Sequence, residues 1–212
     1  MTLLKICGLT RQVDVELVDR IADYAGFIID PETKSPRRIT PDAARDLSSV
    51  LSRARPVAVF DAYDPALAVD LAARYDFPVA QMPQIFGGDV EDLARERGIS
   101  LAPVVLFGRD DVLGRVARLA GGRYEYVLVD AVKGSRTAYS HGLRLPLELI
   151  EAVSAFGKVA VAGGITPDNV EHVLRFKPYM VDVASGVEAS PGVKDSRKVY
   201  ALAEKVKGSI QD

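Results

Sequence analysis

The feature that most limits how this chain can fold is an alternation, repeated eight times, of short apolar runs with longer amphipathic stretches. The β-rich runs are Leu3–Cys7, Tyr24–Ile29, Pro56–Phe60, Pro78–Met82, Leu101–Phe107, Tyr126–Asp130, Lys158–Ala162 and Met180–Ala184. Helical patterns follow them at Val13–Ala22, Pro41–Leu51, Pro65–Arg74, Asp89–Arg97, Asp111–Ala120, Pro146–Ala155, Pro167–Arg175 and Asp195–Lys207. A strand with one wet face alternates apolar and polar residues. Runs such as Val57-Ala58-Val59-Phe60 and Val127-Leu128-Val129 do not, and they suit parallel strands covered on both faces. Thr40-Pro41 and Thr166-Pro167 place proline at the first helical position behind a capping hydroxyl. Eight such units in 212 residues predict an α/β chain forming a single (β/α)8 TIM barrel over residues 1–212. A doubly wound open sheet shares the local alternation. The count of eight, and the lack of a strand followed by Gly-x-Gly-x-x-Gly, favour the barrel.

Composition narrows the setting. The chain is 48% hydrophobic and 26% charged, with a formal net charge of −2, as in ordinary globular proteins. The charges are dispersed, without the basic footprint of a nucleic-acid binder. No apolar run approaches the roughly 18 residues that span a bilayer, and the N-terminus lacks a signal-peptide pattern. The single cysteine cannot form an intrachain disulfide, which fits a reducing compartment. The expectation is a cytoplasmic protein with no nucleic-acid or membrane partner.

In a barrel the active site is built from loops that follow the strands, so residues at strand ends carry the chemistry. Cys7 closes the first run and precedes Gly8. It reads either as core filling or as a thiol facing a ligand, a few per cent thiolate near neutrality at its unperturbed pKa of about 8.5. Gly163-Gly164 follows the seventh run and Ser185-Gly186 the eighth. Glycines allow close backbone approach, and barrels often bind phosphate with these two loops. Asp130 ends the sixth run after three apolar residues. It is either a turn cap or a proton donor whose pKa an apolar setting raises. Asp182, between Val181 and Val183, either bonds a substrate hydroxyl or pairs with a neighbour, because an unpaired charge there is costly. Arg37, in Ser35-Pro36-Arg37-Arg38, carries a planar fork suited to carboxylate or phosphate.

Four stretches together resemble the phosphoribosylanthranilate isomerase family of tryptophan biosynthesis. They are Lys5-Ile6-Cys7-Gly8-Leu9-Thr10, Ser35-Pro36-Arg37, Ala162 through Val170, and Val181 through Glu188 with Pro191-Gly192 and Lys194-Asp195. The resemblance implies a cofactor- and metal-free Amadori rearrangement of N-(5-phosphoribosyl)anthranilate by a monomer or homodimer whose partner is a phosphorylated small molecule. It implies Cys7 as general base and Asp130 as general acid. Arg37 would hold the anthranilate carboxylate, and Gly163, Gly164, Ser185 and Gly186 the phosphate. Two stretches depart from the family. Gln81-Met82-Pro83-Gln84 lacks the usual histidine, and Val132 through Gly142 replaces a glycine-rich loop. Residues 132–145, bearing Lys133, Arg136 and Arg144, are expected to form a lid that orders over ligand. His141 is expected to be a loop surface residue. Isomerisation of another phosphosugar amine, or phosphosugar binding without catalysis, are the rival readings.

Overall fold

Strand parity organises the molecule. A computed structural model describes residues 1–83, 86–132 and 137–208. Eight parallel strands pair in chain order: β1 (Leu3–Cys7), β2 (Tyr24–Ile28), β3 (Arg55–Val59), β4 (Val79–Pro83), β5 (Ser100–Phe107), β6 (Val127–Ala131), β7 (Val159–Ala162) and β8 (Met180–Val183). β8 pairs back onto β1, with Asp182 beside Lys5, and closes the barrel. The crossovers are α1 (Gln12–Ile21), α2 (Pro41–Ser48), α3 (Pro65–Arg74), α4 (Gly88–Glu96), α5 (Val112–Leu119), α6 (Leu147–Ser154), α7 (Val170–Leu174) and α8 (Ser196–Lys207). Most bounds agree with the sequence expectation to within a residue or two. Element termini fray by that much.

Successive strand residues point to opposite faces. Leu4, Ile6, Ala25, Phe27, Val181 and Val183 face outward and pack with Val15, Val18, Ala68 and Val199 of the helices. Tyr24, Ile28, Val57, Val59, Leu128 and Met180 fill the interior. Because both faces are apolar, the strands read as continuous runs. The exceptions inside the barrel are polar pairs. Lys5 Nζ bonds Asp182 Oδ2 at 2.7 Å, with Lys5 fully buried. Burial by itself would lower the Lys5 pKa, but the Asp182 carboxylate outweighs it and drives it upward. The hydroxyl of fully buried Tyr126 donates to Gln81 Oε1 at 3.0 Å.

Two features differ from the sequence expectation. The segment after β8 is a 3-10 turn (Ser185–Val187) followed by an antiparallel hairpin, β9 (Glu188–Ser190) and β10 (Val193–Lys194), where no strands were expected. The seventh helix does not start at Pro167 behind a Thr166 cap. Residues 167–169 form a turn and α7 begins at Val170. Asn169 is the cause. Its Oδ1 accepts the Thr166 amide at 2.8 Å, while its Nδ2 donates to Gly164 O at 2.8 Å and His141 O at 3.0 Å. Such local side-chain bonds compete with helix formation. The other proline start is as expected: Thr40 Oγ1 accepts from Ala43 N at the head of α2.

Candidate active site

A cavity of about 510 Å³ opens at the C-terminal ends of the strands, where barrel active sites form. Every expected site residue lines it: Cys7, Arg37, Asp130, Gly163, Gly164, Asp182, Ser185 and Gly186. Cys7 enters from β1 and Asp130 from β6, with β7 and β8 between them on that side of the wall.

Cys7 owes its place to glycines. Gly26, its β2 partner in register, leaves room for the thiol, since a Cβ there would sit 2.9 Å from Cys7 Sγ. Gly8 takes φ +74°, and Arg37 lies so closely over it that an added Cβ would meet Arg37 Cδ at 2.6 Å. Burial pushes the Cys7 thiol up, against the pull of the Lys5 ammonium. A thiolate formed there is a stronger base than one in water.

The Cys7 end is tied to the β8 segment by a buried charge network. Lys194 Nζ, with its side chain fully buried, donates to Cys7 O at 2.7 Å, to Ala184 O at 3.2 Å and to Glu188 Oε1 at 2.8 Å. Glu188 in turn takes the Arg37 fork in a bidentate bond, Nε–Oε1 at 2.8 Å and Nη2–Oε2 at 2.6 Å. Burial would raise the Glu188 pKa, but these two cations hold it below the ordinary carboxylate value. Two of Arg37's nitrogens are thus occupied. Nη1 donates to nothing among the described residues, and it is the edge that remains for an anionic ligand.

Asp130 Oδ1 accepts the Ala131 amide at 2.7 Å. The carboxyl borders the cavity, where a protonated form would have one O–H to donate. Of the two alternatives that the sequence position of Asp182 allowed, the structure shows the pairing with a neighbour. It pairs with Lys5 through Oδ2, and it lines the cavity, with Oδ1 buried and unpartnered.

The glycine loops are built for backbone proximity. Gly163 and Gly164 have φ of +99° and +74°, where side chains are strained. The Gly164 N–H has no acceptor among the described residues. A Cβ on Gly186 would lie 1.8 Å from Ile165 O, so this glycine is required by packing of the β7 and β8 loops onto each other. Arg144 also lines the cavity, close to both Gly163 and Gly164.

Of the segment expected to form a lid, Lys133 and Arg136 lie outside the described residues. Its C-terminal part is packed: Arg144 N donates to Gly163 O at 3.0 Å, Asn169 Nδ2 donates to His141 O, and Leu143 and Leu145 are fully buried. His141 is exposed, as expected, and stacks on His172 with centroids 3.5 Å apart. Of the departing β4 segment, Gln84 lies outside the described residues, while Gln81 lines the cavity.

Sequence reasoning missed Asp30. Fully buried at the end of β2, it accepts amides of Glu32, Thr33, Asp61, Ala62 and Tyr63, fastening the loop that carries Arg37 to the loop after β3. Burial would raise its pKa, yet these bonds hold it below the ordinary value. An aspartate closing an apolar run just before proline was the available signal. The ties of Glu188 to Arg37 and of Lys194 to the Cys7 carbonyl had no local signal, because those partners are 151 and 187 residues away.

Fold and site place the chain among (β/α)8-barrel enzymes acting on small molecules at the strand C-termini. The family model for N-(5'-phosphoribosyl)anthranilate (PRA) isomerase matches residues 4–205. The N-(5'-phosphoribosyl)anthranilate isomerase of Pyrobaculum islandicum is 49% identical over 94% of this chain and 95% of that protein. The crystal structure of phosphoribosyl anthranilate isomerase from Thermotoga maritima superposes with a TM-score of 0.83 at 27% identity, covering 99% of this chain and 100% of that one. A structure of the isomerase with reduced 1-(o-carboxyphenylamino)-1-deoxyribulose 5-phosphate gives 0.80 at 27% identity over the same shares. The chain belongs to the N-(5'-phosphoribosyl)anthranilate isomerase family. Among the described residues, no helix is long and apolar enough to cross a membrane.

Proposed function

We propose that this chain converts N-(5-phosphoribosyl)anthranilate to 1-(2-carboxyphenylamino)-1-deoxyribulose 5-phosphate by an Amadori rearrangement. The observation that carries the reading is one cavity lined by a thiol, a carboxyl and two glycine loops, each from a different strand end. Asp130 gives its proton to the ribose ring oxygen, the C1–O bond breaks, and the nitrogen lone pair forms the C1 iminium. Cys7 thiolate takes the C2 proton, and the C2–H electrons neutralise the iminium to an enolamine. Transfer of the enol proton to C1 then yields the ketone. Asp130 has lost one proton and Cys7 has gained one, so solvent resets the pair and no redox partner is needed. An acid and a base acting together at fixed positions supply the proton transfers that water performs slowly.

The phosphate rests on the amides and hydroxyl of Gly163, Gly164, Ser185 and Gly186, with Arg144 nearby. Asp182 Oδ1 accepts from a sugar hydroxyl, which would relieve its missing partner. Arg37 offers Nη1 to the carboxylate, its other nitrogens being held by Glu188. The enzyme works in the cytoplasm as a monomer or homodimer; the Thermotoga maritima relative is described as a dimer from which monomers have been generated. The direct test is incubation with freshly formed phosphoribosylanthranilate, followed by loss of anthranilate-type fluorescence. No turnover by folded protein would remove the reading.

A further inference from the structure

Gln81 is a polar side chain of the cavity that neither the catalytic pair nor the anion loops use. It lies on β4, diametrically across the barrel from β8, and is buried but borders the cavity. Its amide orientation is fixed from below. Tyr126 is fully buried, and its phenol is kept protonated because burial pushes its pKa far up. The O–H has no other acceptor among the described residues than Gln81 Oε1, at 3.0 Å. Flipping the amide would leave that buried hydrogen unbonded. With Oε1 turned to Tyr126, the Nε2 amino group is directed away from it, and it donates to nothing among the described residues.

We infer that Gln81, oriented by Tyr126, is a specificity-determining residue that donates from Nε2 to the carboxylate of the aminobenzoate ring. The inference rests on the proposed isomerase reading and deepens it. With phosphate at the β7 and β8 loops and the reacting carbons between Cys7 and Asp130, the ring extends over the opposite wall, toward β4. The acceptor oxygens of that end of the substrate belong to its carboxylate. Arg37 Nη1, at the rim, supplies one donor; Gln81 supplies another.

The test compares N-(5-phosphoribosyl)anthranilate with N-(5-phosphoribosyl)aniline, which lacks the carboxylate, in wild type, Gln81→Glu and Tyr126→Phe. Glutamate keeps an acceptor for the Tyr126 hydroxyl, so the fold is preserved while an open donor becomes a repelling charge. For Gln81→Glu the KM for the anthranilate substrate, and the Kd of the reduced product analogue, should rise about 10- to 100-fold, the scale of a lost hydrogen bond to a charged group. The aniline substrate should shift by less than about threefold. Tyr126→Phe frees the amide to rotate and should give a smaller loss, again confined to the carboxylated ligands. Equal losses on both substrates would overturn the inference by placing Gln81 against the sugar, and unchanged binding of both would overturn it by removing the contact. Inactivity of wild type on both substrates would instead refute the isomerase reading, so the two failures are separable.

Discussion

Replacing Lys5 with methionine should cost this protein a large part of its stability, although Lys5 touches no solvent and sits below the reacting groups. The Lys5 and Asp182 side chains are 0% and 6% exposed, and their 2.7 Å contact is the only hydrogen bond the Asp182 side chain makes among the described residues. Its Oδ1 already has no partner, so Lys5→Met strands a whole carboxylate inside the barrel. Removing one member of a buried pair costs about 3–5 kcal/mol. For a chain of this length that lowers Tm by roughly 6–20 °C. The double variant Lys5→Met/Asp182→Val removes the stranded charge as well, and should recover most of the loss, since apolar replacement of a whole buried pair is often neutral. The deficit of the single variant should also shrink as pH falls from 8 to 5, because a lone buried carboxylate sheds its charge by taking a proton. Denaturant and thermal unfolding of wild type, both single variants and the double variant at the two pH values give the full cycle. A Lys5→Met cost below about 1 kcal/mol, or a double variant no more stable than the single, would refute the view that the lysine is needed to compensate a largely buried carboxylate.

Three further outcomes are expected. Cys7→Ser and Asp130→Asn should each lower kcat by at least ~10²-fold with a much smaller change in product-analogue affinity, measured by titration; near wild-type turnover in either would reassign that residue. Because Cys7 must be deprotonated, which burial opposes, while Asp130 must still hold its proton, kcat/KM should pass through a plateau or maximum and fall at alkaline pH, and a rate that keeps rising well beyond the ordinary thiol value of about 8.5 would contradict an acid–base pair. Gly26→Ala places a Cβ 2.9 Å from Cys7 Sγ, so it should lower kcat by between about 10- and 10²-fold through misplacement of the thiol, while unfolding curves and ligand affinity change little; intact kcat would show that the thiol has room to move.

Glycine substitutions in the anion loops are a less clean probe than their sequence suggests. Gly186 abuts the Ile165 carbonyl and Gly164 the Gly142 carbonyl, where an added Cβ would stand 1.8 and 2.6 Å away. Any side chain there disturbs loop packing before it reaches a phosphate. Rises in KM at these positions therefore need a folding control.

The sequence by itself determined the barrel and the address of the site. Period and length are local properties: doubly apolar runs of strand length, each followed by an amphipathic helix, leave few ways to bury both strand faces. Cys7, Asp130, Gly164 and Gly186 could be placed at one mouth because topology puts every strand end there. Only the tertiary structure decided what each group does with its neighbours. Asp182 pairs with Lys5 because closure brings β8 against β1. Arg37 is half-spent on Glu188, 151 residues away. Lys194 grips the Cys7 carbonyl across 187 residues, and Asn169 ties the β6 loop to the β7 loop at the expense of a helical turn. These contacts depend on registers and loop paths that single-chain periodicity does not encode. The physical reason is range: backbone propensity and hydrophobic pattern act over a few residues, whereas a buried charge or amide is satisfied by whichever partner the closed barrel brings within about 3 Å.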